Sequence, residues 1–220
     1  DGTFPNHEAN PLVQENVADL KKLVKENGCD IGVIFDGDAD RVMFVDENGR
    51  FISPDLMIAL MGHYFLEERG EKGAVLQDIR SSKAVGEYLT PMGAQMHTWK
   101  VGRAFAAHKL REINGVYGGE LAGHYYFRDF FYSDSGIMAS LIILGIVSDM
   151  KREKGLKLSQ LIAGIEKYKN SQINRLNNKY DVNIEFNSIK IIISDTKINN
   201  KFEYISRLEN DIHDLSKFIF

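Results

Sequence analysis

The stretch Ile31–Arg50, IGVIFDGDADRVMFVDENGR, places three aspartates, Asp36, Asp38 and Asp40, at alternate positions between two apolar runs. IGVIF reads as a short buried strand and RVMFV as another, and DENG after Val45 reads as a turn with Gly49 free for positive φ. Like charges this close repel one another, so something positive belongs among them: a metal ion, an arginine, or both. Arg41 follows the last aspartate directly.

Working outward, strand and helix alternate. Asn10 and Pro11 open a helix that runs through LVQENVADLKKLVKEN and stops at Gly28. Ser53 and Pro54 open a second, DLMIALMGHYFLEER, closed by Gly70. AVLQDI then reads as a strand, SKAVGEYLTPMG as a short helix and turn, AQMHTW as a strand and RAFAAHKLREIN as a helix. GVYGGELAGHYYF combines a strand with a glycine-rich loop, and SGIMASLIILGIVSDMKR reads as a buried helix. This order predicts an α/β fold of mixed, mostly parallel sheets sandwiched by helices. The segment from 169 to 220 differs: it is rich in Asn, Ile and Lys, with IEFNSIKIIIS as a strand or hairpin and KFEYISRLENDIHDLSKF as an amphipathic helix.

The 220 residues carry a formal net charge of −4, with 44% hydrophobic and 26% charged side chains, an ordinary globular composition. Mild acidity argues against a nucleic-acid or anionic-membrane surface, which needs clustered Lys and Arg. Cys29 stands alone, so an intrachain disulfide is impossible and a reducing, cytoplasmic setting is expected. The longest apolar run, IMASLIILGIV from Ile137, is too short for a bilayer span. The start DGTFPNHEANP has no methionine and reads like the interior of a longer protein.

Three chemistries compete for the aspartate loop. An EF-hand would put Asp36, Asp38, Asp40 and Glu47 at loop positions 1, 3, 5 and 12, but its sixth position needs glycine and holds Arg41. Its flanks would also be helical, and these are β-rich. An aspartyl-phosphate phosphatase of the haloacid-dehalogenase kind would use Asp36 as nucleophile and Asp38 as acid/base, with Asp40 out of pattern. The third reading is a magnesium site for phosphoryl transfer. There, three carboxylates converge on one hard cation, Gly37 permits the tight turn, and the planar fork of Arg41 holds a phosphate. Against all three stands a solvated acidic turn with Arg41 as internal counter-ion.

The motif FDGDADR resembles the metal loop of the phosphohexomutases, the phosphomannomutase/phosphoglucomutase family. DGTFPNHEANPL is similar to that family's segment ahead of the metal loop. YGGELAGHYYFRDFFYSDSG resembles its sugar-binding loop, G-E-x-S-G-H, in the bacterial phosphomannomutase branch. The resemblance covers about residues 1 to 170. It implies Mg²⁺ ligation by Asp36, Asp38 and Asp40, with Arg41 beside a phosphorylated serine. It also implies that Glu120 and His124 grip the sugar hydroxyls, a chemistry that suits a carboxylate acceptor and an imidazole.

Two departures stand out. Ala122 replaces the usual serine, and KVGRAF puts Arg103 where K-x-G-H-x-F carries histidine. Arginine is no general base, so Arg80 and Arg103 are expected to hold substrate phosphate or stabilise transferred charge. By resemblance, residues 1–50 end a second domain, 51–168 form a third, and 169–220 are an atypical tail, a remnant or the start of a fourth. Neither a T-A-S-H-N-P phosphoserine loop nor an R-x-S-G-T-E-P phosphate loop occurs, so the phosphoryl donor is expected outside these residues. The implied partners are mannose 6-phosphate, mannose 1-phosphate and a hexose 1,6-bisphosphate. The remaining alternative is an inactive remnant that binds Mg²⁺ and sugar phosphate.

Overall fold

The computed structural model describes residues 3–167 and, further on, the backbone of the strands Val182–Glu185 and Lys190–Ile193. Two compact units divide the chain, Asp1–Lys169 and Asn170–Phe220.

In the first unit the chain enters through a turn. The Asn10 side chain accepts the Leu12 N–H at 3.2 Å, and Val13 is extended, so the helix expected from Pro11 is delayed. A 3₁₀ turn at Gln14–Val17 leads into α1, Ala18–Asn27, which Gly28 ends in the left-handed conformation (φ 62°). The strands β1 (Ile31–Phe35), β2 (Val42–Asp46) and β3 (Phe51–Ile52) form an antiparallel sheet in that order. A parallel pairing of β1 and β2 would need a crossover of about a dozen residues, and the connection between them is too short.

Next come α2 (Pro54–Leu60), with Pro54 in its first turn, and a π-helical segment at His63–Glu68 that divides the single helix expected there. The second sheet holds β4 (Gly73–Asp78), β5 (Ala94–Trp99), β6 (Tyr117–Gly119), β7 (Tyr125–Phe127) and β8 (Ser133–Asp134) in the order β5-β4-β6-β7-β8. Parallel pairing is confined to β4 with β5 and β6; β7 and β8 add antiparallel strands, so the sheets are mixed and the parallel part is this centre. The glycine-rich turn between β6 and β7 is again too short for a crossover.

Both faces of this sheet are covered. Val75, Tyr117, Tyr125 and Phe127 pack with residues of α2, of α3 (Lys83–Leu89), of α5 (Gly136–Lys154) and of α6 (Leu158–Ile165). Leu76 and Tyr126 pack on Ala106 and Leu110 of α4 (Arg103–Glu112). Val42 and Phe44 of β2 join the larger cluster, so the two sheets share one core. Helix α5 is not buried all round, as its sequence suggested: Ile137 and Leu141 are 57% and 65% exposed. Among the described residues no helix is long and apolar enough to cross a membrane.

In the second unit β9 (Val182–Glu185) pairs antiparallel with β10 (Lys190–Ile193), where the sequence suggests a strand or hairpin. The helix expected over 201–218 lies outside the described residues.

Candidate functional site

β1 delivers Asp36 to the start of a tight loop, closed by the Asp36 N–H on Arg41 O and the Ala39 N–H on Asp36 O, both 3.3 Å. The left-handed position falls on Ala39 (φ 60°), not on Gly37, so a residue between two aspartates carries a conformation that costs on the order of 1 kcal/mol. Carboxylate oxygens of Asp36, Asp38 and Asp40 come within 4.8 Å of one another.

Arg41 turns back onto the loop. Its Nε meets Asp36 Oδ2 at 2.6 Å and its N–H meets Oδ1 at 3.1 Å. Burial alone would push the Asp36 carboxyl up, but Arg41 holds it below the usual aspartate value. Asp40 moves the opposite way. Burial raises it, His124 opposes, and the neighbouring Asp36 and Asp38 charges raise it further. Burial is the largest cause and the neighbouring carboxylates add to it; a bound cation would favour the ionised form. The donor set is all oxygen, the choice of a hard ion such as Mg²⁺. The residues fit the group.

The glycine-rich loop between β6 and β7 meets this one edge to edge. Arg41 and His124 form a β-bridge, and the Val42 N–H reaches Gly123 O at 3.2 Å. Gly123 has φ 88°, and a Cβ there would stand 2.4 Å from the Met43 methyl, so glycine is required for this approach. His124 consequently lies beside Asp40, with Nδ1 3.9 Å from Oδ2. Nδ1 also meets Asp134 Oδ2 at 2.7 Å. Burial disfavours the imidazolium, but the bond to Asp134 and the charges of Asp40, Asp134 and Glu120 outweigh it and raise the His124 pKa.

Arg103, the first residue of α4, joins the same group: Nη1 is 3.3 Å from Asp40 and Nε 2.9 Å from Asp134. Asp134 is therefore a member of the site that the sequence reading missed. Its only signal was its place in SDSG, just ahead of the Ser135 cap of α5. Asp36, Asp38, Asp40, Arg41, Arg103 and His124 form one continuous patch.

Glu120 and Arg80 are held differently. The Glu120 side chain is 2% exposed; Oε1 accepts the Gly102 N–H at 2.7 Å and Oε2 the Tyr126 hydroxyl at 2.9 Å. It braces the loop from inside and does not project a free carboxylate. Arg80 is clamped by Asp78, with Nη2 to Oδ2 at 2.7 Å and Nε to the same oxygen at 3.2 Å. Asp78 also accepts the Leu121 N–H at 3.0 Å, which ties Arg80 to the glycine-rich loop. Lys100 lies 3.7 Å over the Phe105 ring. Because β4 pairs parallel with both β5 and β6, their C-terminal ends, followed by Arg80, Lys100 and Glu120, lie on one edge of the sheet, the edge where ligands bind in open α/β sheets. Asp36 is no free nucleophile, because Arg41 holds both of its oxygens and its side chain is 4% exposed.

Residues 53–168 match domain III of phosphoglucomutase/phosphomannomutase, an alpha/beta/alpha domain, and residues 1–49 match domain II. A phosphomannomutase of Vibrio cholerae is 40% identical over 164 residues, 74% of this chain and 34% of that protein. The phosphomannomutase of Methanocaldococcus jannaschii is 34% identical over 171 residues, 78% of this chain and 37% of that protein. The chain spans about a third of the length of these curated relatives. Among solved structures, a phosphoglucomutase/phosphomannomutase family protein from Burkholderia thailandensis aligns with TM-score 0.69 at 24% identity, covering 100% of this chain and 53% of that one. The Paramecium phosphoglucomutase parafusin, in its open form, aligns with TM-score 0.60 at 15% identity over 84% of this chain and 39% of its own. At such identities the likeness is one of fold. Two family domains in sequence order, together with relatives at 40% identity, show that this chain belongs to the phosphoglucomutase/phosphomannomutase family.

Proposed function

We propose that the full-length protein is a phosphohexomutase that interconverts mannose 6-phosphate and mannose 1-phosphate through a hexose 1,6-bisphosphate. In this reading residues 1–50 supply the metal loop at the end of a second domain, 51–168 a third domain with the sugar loop, and 169–220 an atypical tail, a remnant or the start of a fourth. The donor is a phosphoserine of the family's first-domain type, in the cytoplasm, and no T-A-S-H-N-P segment occurs in these 220 residues.

The observation that carries the reading is the Arg41–His124 bridge, which seats the carboxylate loop against the glycine-rich loop. Carboxylates that suit a cation and polar groups that suit a sugar phosphate thereby share one patch. Asp36, Asp38 and Asp40 would hold Mg²⁺, which when bound supplies charge neutralisation at the transferring phosphoryl group. Arg41 keeps Asp36 ionised and aimed at the loop centre. Arg103 and Arg80 offer guanidinium N–H groups to phosphate oxygens. His124 holds or moves a proton at Nε2, the nitrogen that Asp134 leaves free. Glu120 contributes through the loop shape that it braces and through its negative charge.

Turnover of mannose and glucosamine phosphates by the full-length protein, with Mg²⁺ and after chelation, tests the proposal. Mannose phosphate conversion that disappears on chelation is expected; conversion of neither hexose phosphate overturns the reading. The 220-residue chain by itself is expected to be inactive even with bisphosphate activator, because it lacks the phosphoryl donor.

A further inference from the structure

One buried carboxylate controls two of the polar groups in the patch. The Asp134 side chain is 1% exposed. Oδ2 meets His124 Nδ1 at 2.7 Å, and Oδ1 meets Arg103 Nε at 2.9 Å. Asp134 is itself fixed on both sides. It pairs with Tyr126 across β7 and β8, and the next residue, Ser135, caps α5 through its hydroxyl on the Met138 N–H at 3.1 Å.

The consequences follow from donor and acceptor chemistry. An ionised carboxylate only accepts, so His124 Nδ1 carries the hydrogen and the neutral ring leaves Nε2 as its free acceptor. A guanidinium held at Nε has its two terminal nitrogens oriented in a plane: Nη1 reaches Asp40 at 3.3 Å and Nη2 is left for another anion. Without this hold a long, 57% exposed arginine side chain would sample many rotamers. Fixing it before a ligand arrives removes that ordering cost from binding.

We propose that Asp134 is a positioning residue: it sets His124 as the Nδ1–H tautomer and aims the Arg103 fork, so that Nε2 and the free guanidinium edge face the sugar phosphate together. The inference rests on the mutase reading for what the two groups face, but not for how they are held.

Asp134→Asn in the full-length protein tests both halves. Asparagine has nearly the same volume; with its amide oxygen kept on Arg103 Nε, a group that only donates, its amide nitrogen faces Nδ1 and donates to it. Histidine ¹⁵N NMR at a pH above the raised His124 pKa, where the ring is neutral, with the His124 signals assigned through His124→Gln, is expected to show Nδ1–H in the parent and Nε2–H in Asp134→Asn. The kcat/KM for mannose phosphate is expected to fall by about 10- to 100-fold, the usual size for loss of an orienting partner; the thermal midpoint should drop as well, because a buried paired charge is lost, so both measurements are made well below the variant's midpoint. An unaltered tautomer overturns the proposal whatever the substrate. A switched tautomer with unaltered kcat/KM overturns the functional half. A parent protein inert toward hexose phosphates overturns the mutase reading, while the NMR result still decides whether Asp134 sets the tautomer.

Discussion

The Tyr126 hydroxyl donates to Glu120 Oε2 at 2.9 Å, and both side chains are buried. The other oxygen of Glu120 accepts from Gly102 N, the residue immediately ahead of Arg103 and α4. Glu120 thus couples the glycine-rich loop to the helix that carries Arg103. Burial, followed by the Glu120 charge, raises the Tyr126 pKa far above the ordinary phenol value, so this hydroxyl stays a donor throughout the working pH range.

Replacing Tyr126 with Phe removes that donor and leaves a buried charge short of a partner. The expected loss is about 1.5–3 kcal/mol of stability, the worth of a hydrogen bond to a charged group. Equilibrium urea unfolding measures it. A change within about 0.5 kcal/mol, the scatter of an uninvolved surface site, would mean that Glu120 finds another donor.

Glu120→Gln separates charge from shape. The glutamine oxygen still accepts from Gly102 N–H, and the Tyr126 hydroxyl can rotate to accept from the new amide. Folding should therefore survive, and since both oxygens are engaged inside the loop, affinity of the full-length protein for hexose phosphate should fall by less than the roughly 1.5–3 kcal/mol of a direct hydrogen bond to a charged group. Calorimetric titration decides the matter, and undiminished affinity would leave Glu120 a purely structural brace.

The sequence carried the architecture where the signals were local. Gly28 and Pro54 mark helix ends because a left-handed cap and a fixed φ are properties of single residues. Strand–helix alternation signalled the α/β class and the parallel centre of the second sheet, but it did not speak for the antiparallel pairing of β1 with β2. The connection from Asp36 to Arg41, too short for a crossover, held the better clue. The carboxylates and Arg41 were legible as neighbours in sequence. That Asp134 completes the group was not, since its partners His124 and Arg103 reach it only through strand pairing and the start of α4. Nor could sequence show that Glu120 faces inward, which depends on Tyr126 emerging on the same side of the hairpin.

Asp38 is the exposed member of the carboxylate trio. Asp38→Asn is expected to shift stability by less than about 0.5 kcal/mol, as at other exposed sites. It should also weaken Mg²⁺ binding by about tenfold or more, because a hard cation prefers a charged oxygen donor. Titration calorimetry with MgCl₂ on the full-length protein checks this. Equal Mg²⁺ affinity in the variant would remove Asp38 from the ligand set.

Gly136, at the start of α5, lies against the back of the aspartate loop. A Cβ there would stand 2.7 Å from Ala39 O and 3.1 Å from both the carbonyl carbon and oxygen of Arg41, all backbone atoms that cannot swing aside. Gly136→Ala should cost about 1–3 kcal/mol, as for overpacking of a tight interior. Hydrogen exchange should also speed up at Ala39 and Arg41 while β4 and β5 stay protected. A thermal midpoint within a degree of the parent would show that the loop shifts without strain.

Glu47, in the turn between β2 and β3, caps α6 from outside. Oε2 accepts the Ser159 N–H at 3.2 Å, Oε1 accepts the Ser159 hydroxyl, and the Lys157 N–H is taken by Gln160 Oε1 at 2.9 Å. Burial alone would raise the Glu47 pKa, but the Ser159 hydrogen bonds and the nearby Lys157 charge bring it below the usual glutamate value. A group depressed in the folded state stabilises fully above its unfolded pKa of about 4.3, and that contribution is lost as pH falls through the lower folded value. Glu47→Gln should therefore cost about 1 kcal/mol at neutral pH, the size of a lost helix cap. The gap between parent and variant should narrow as pH drops below about 4.3. Urea midpoints for both proteins across that range measure it, and a gap that stays constant would show that the cap depends on shape and not on the carboxylate charge.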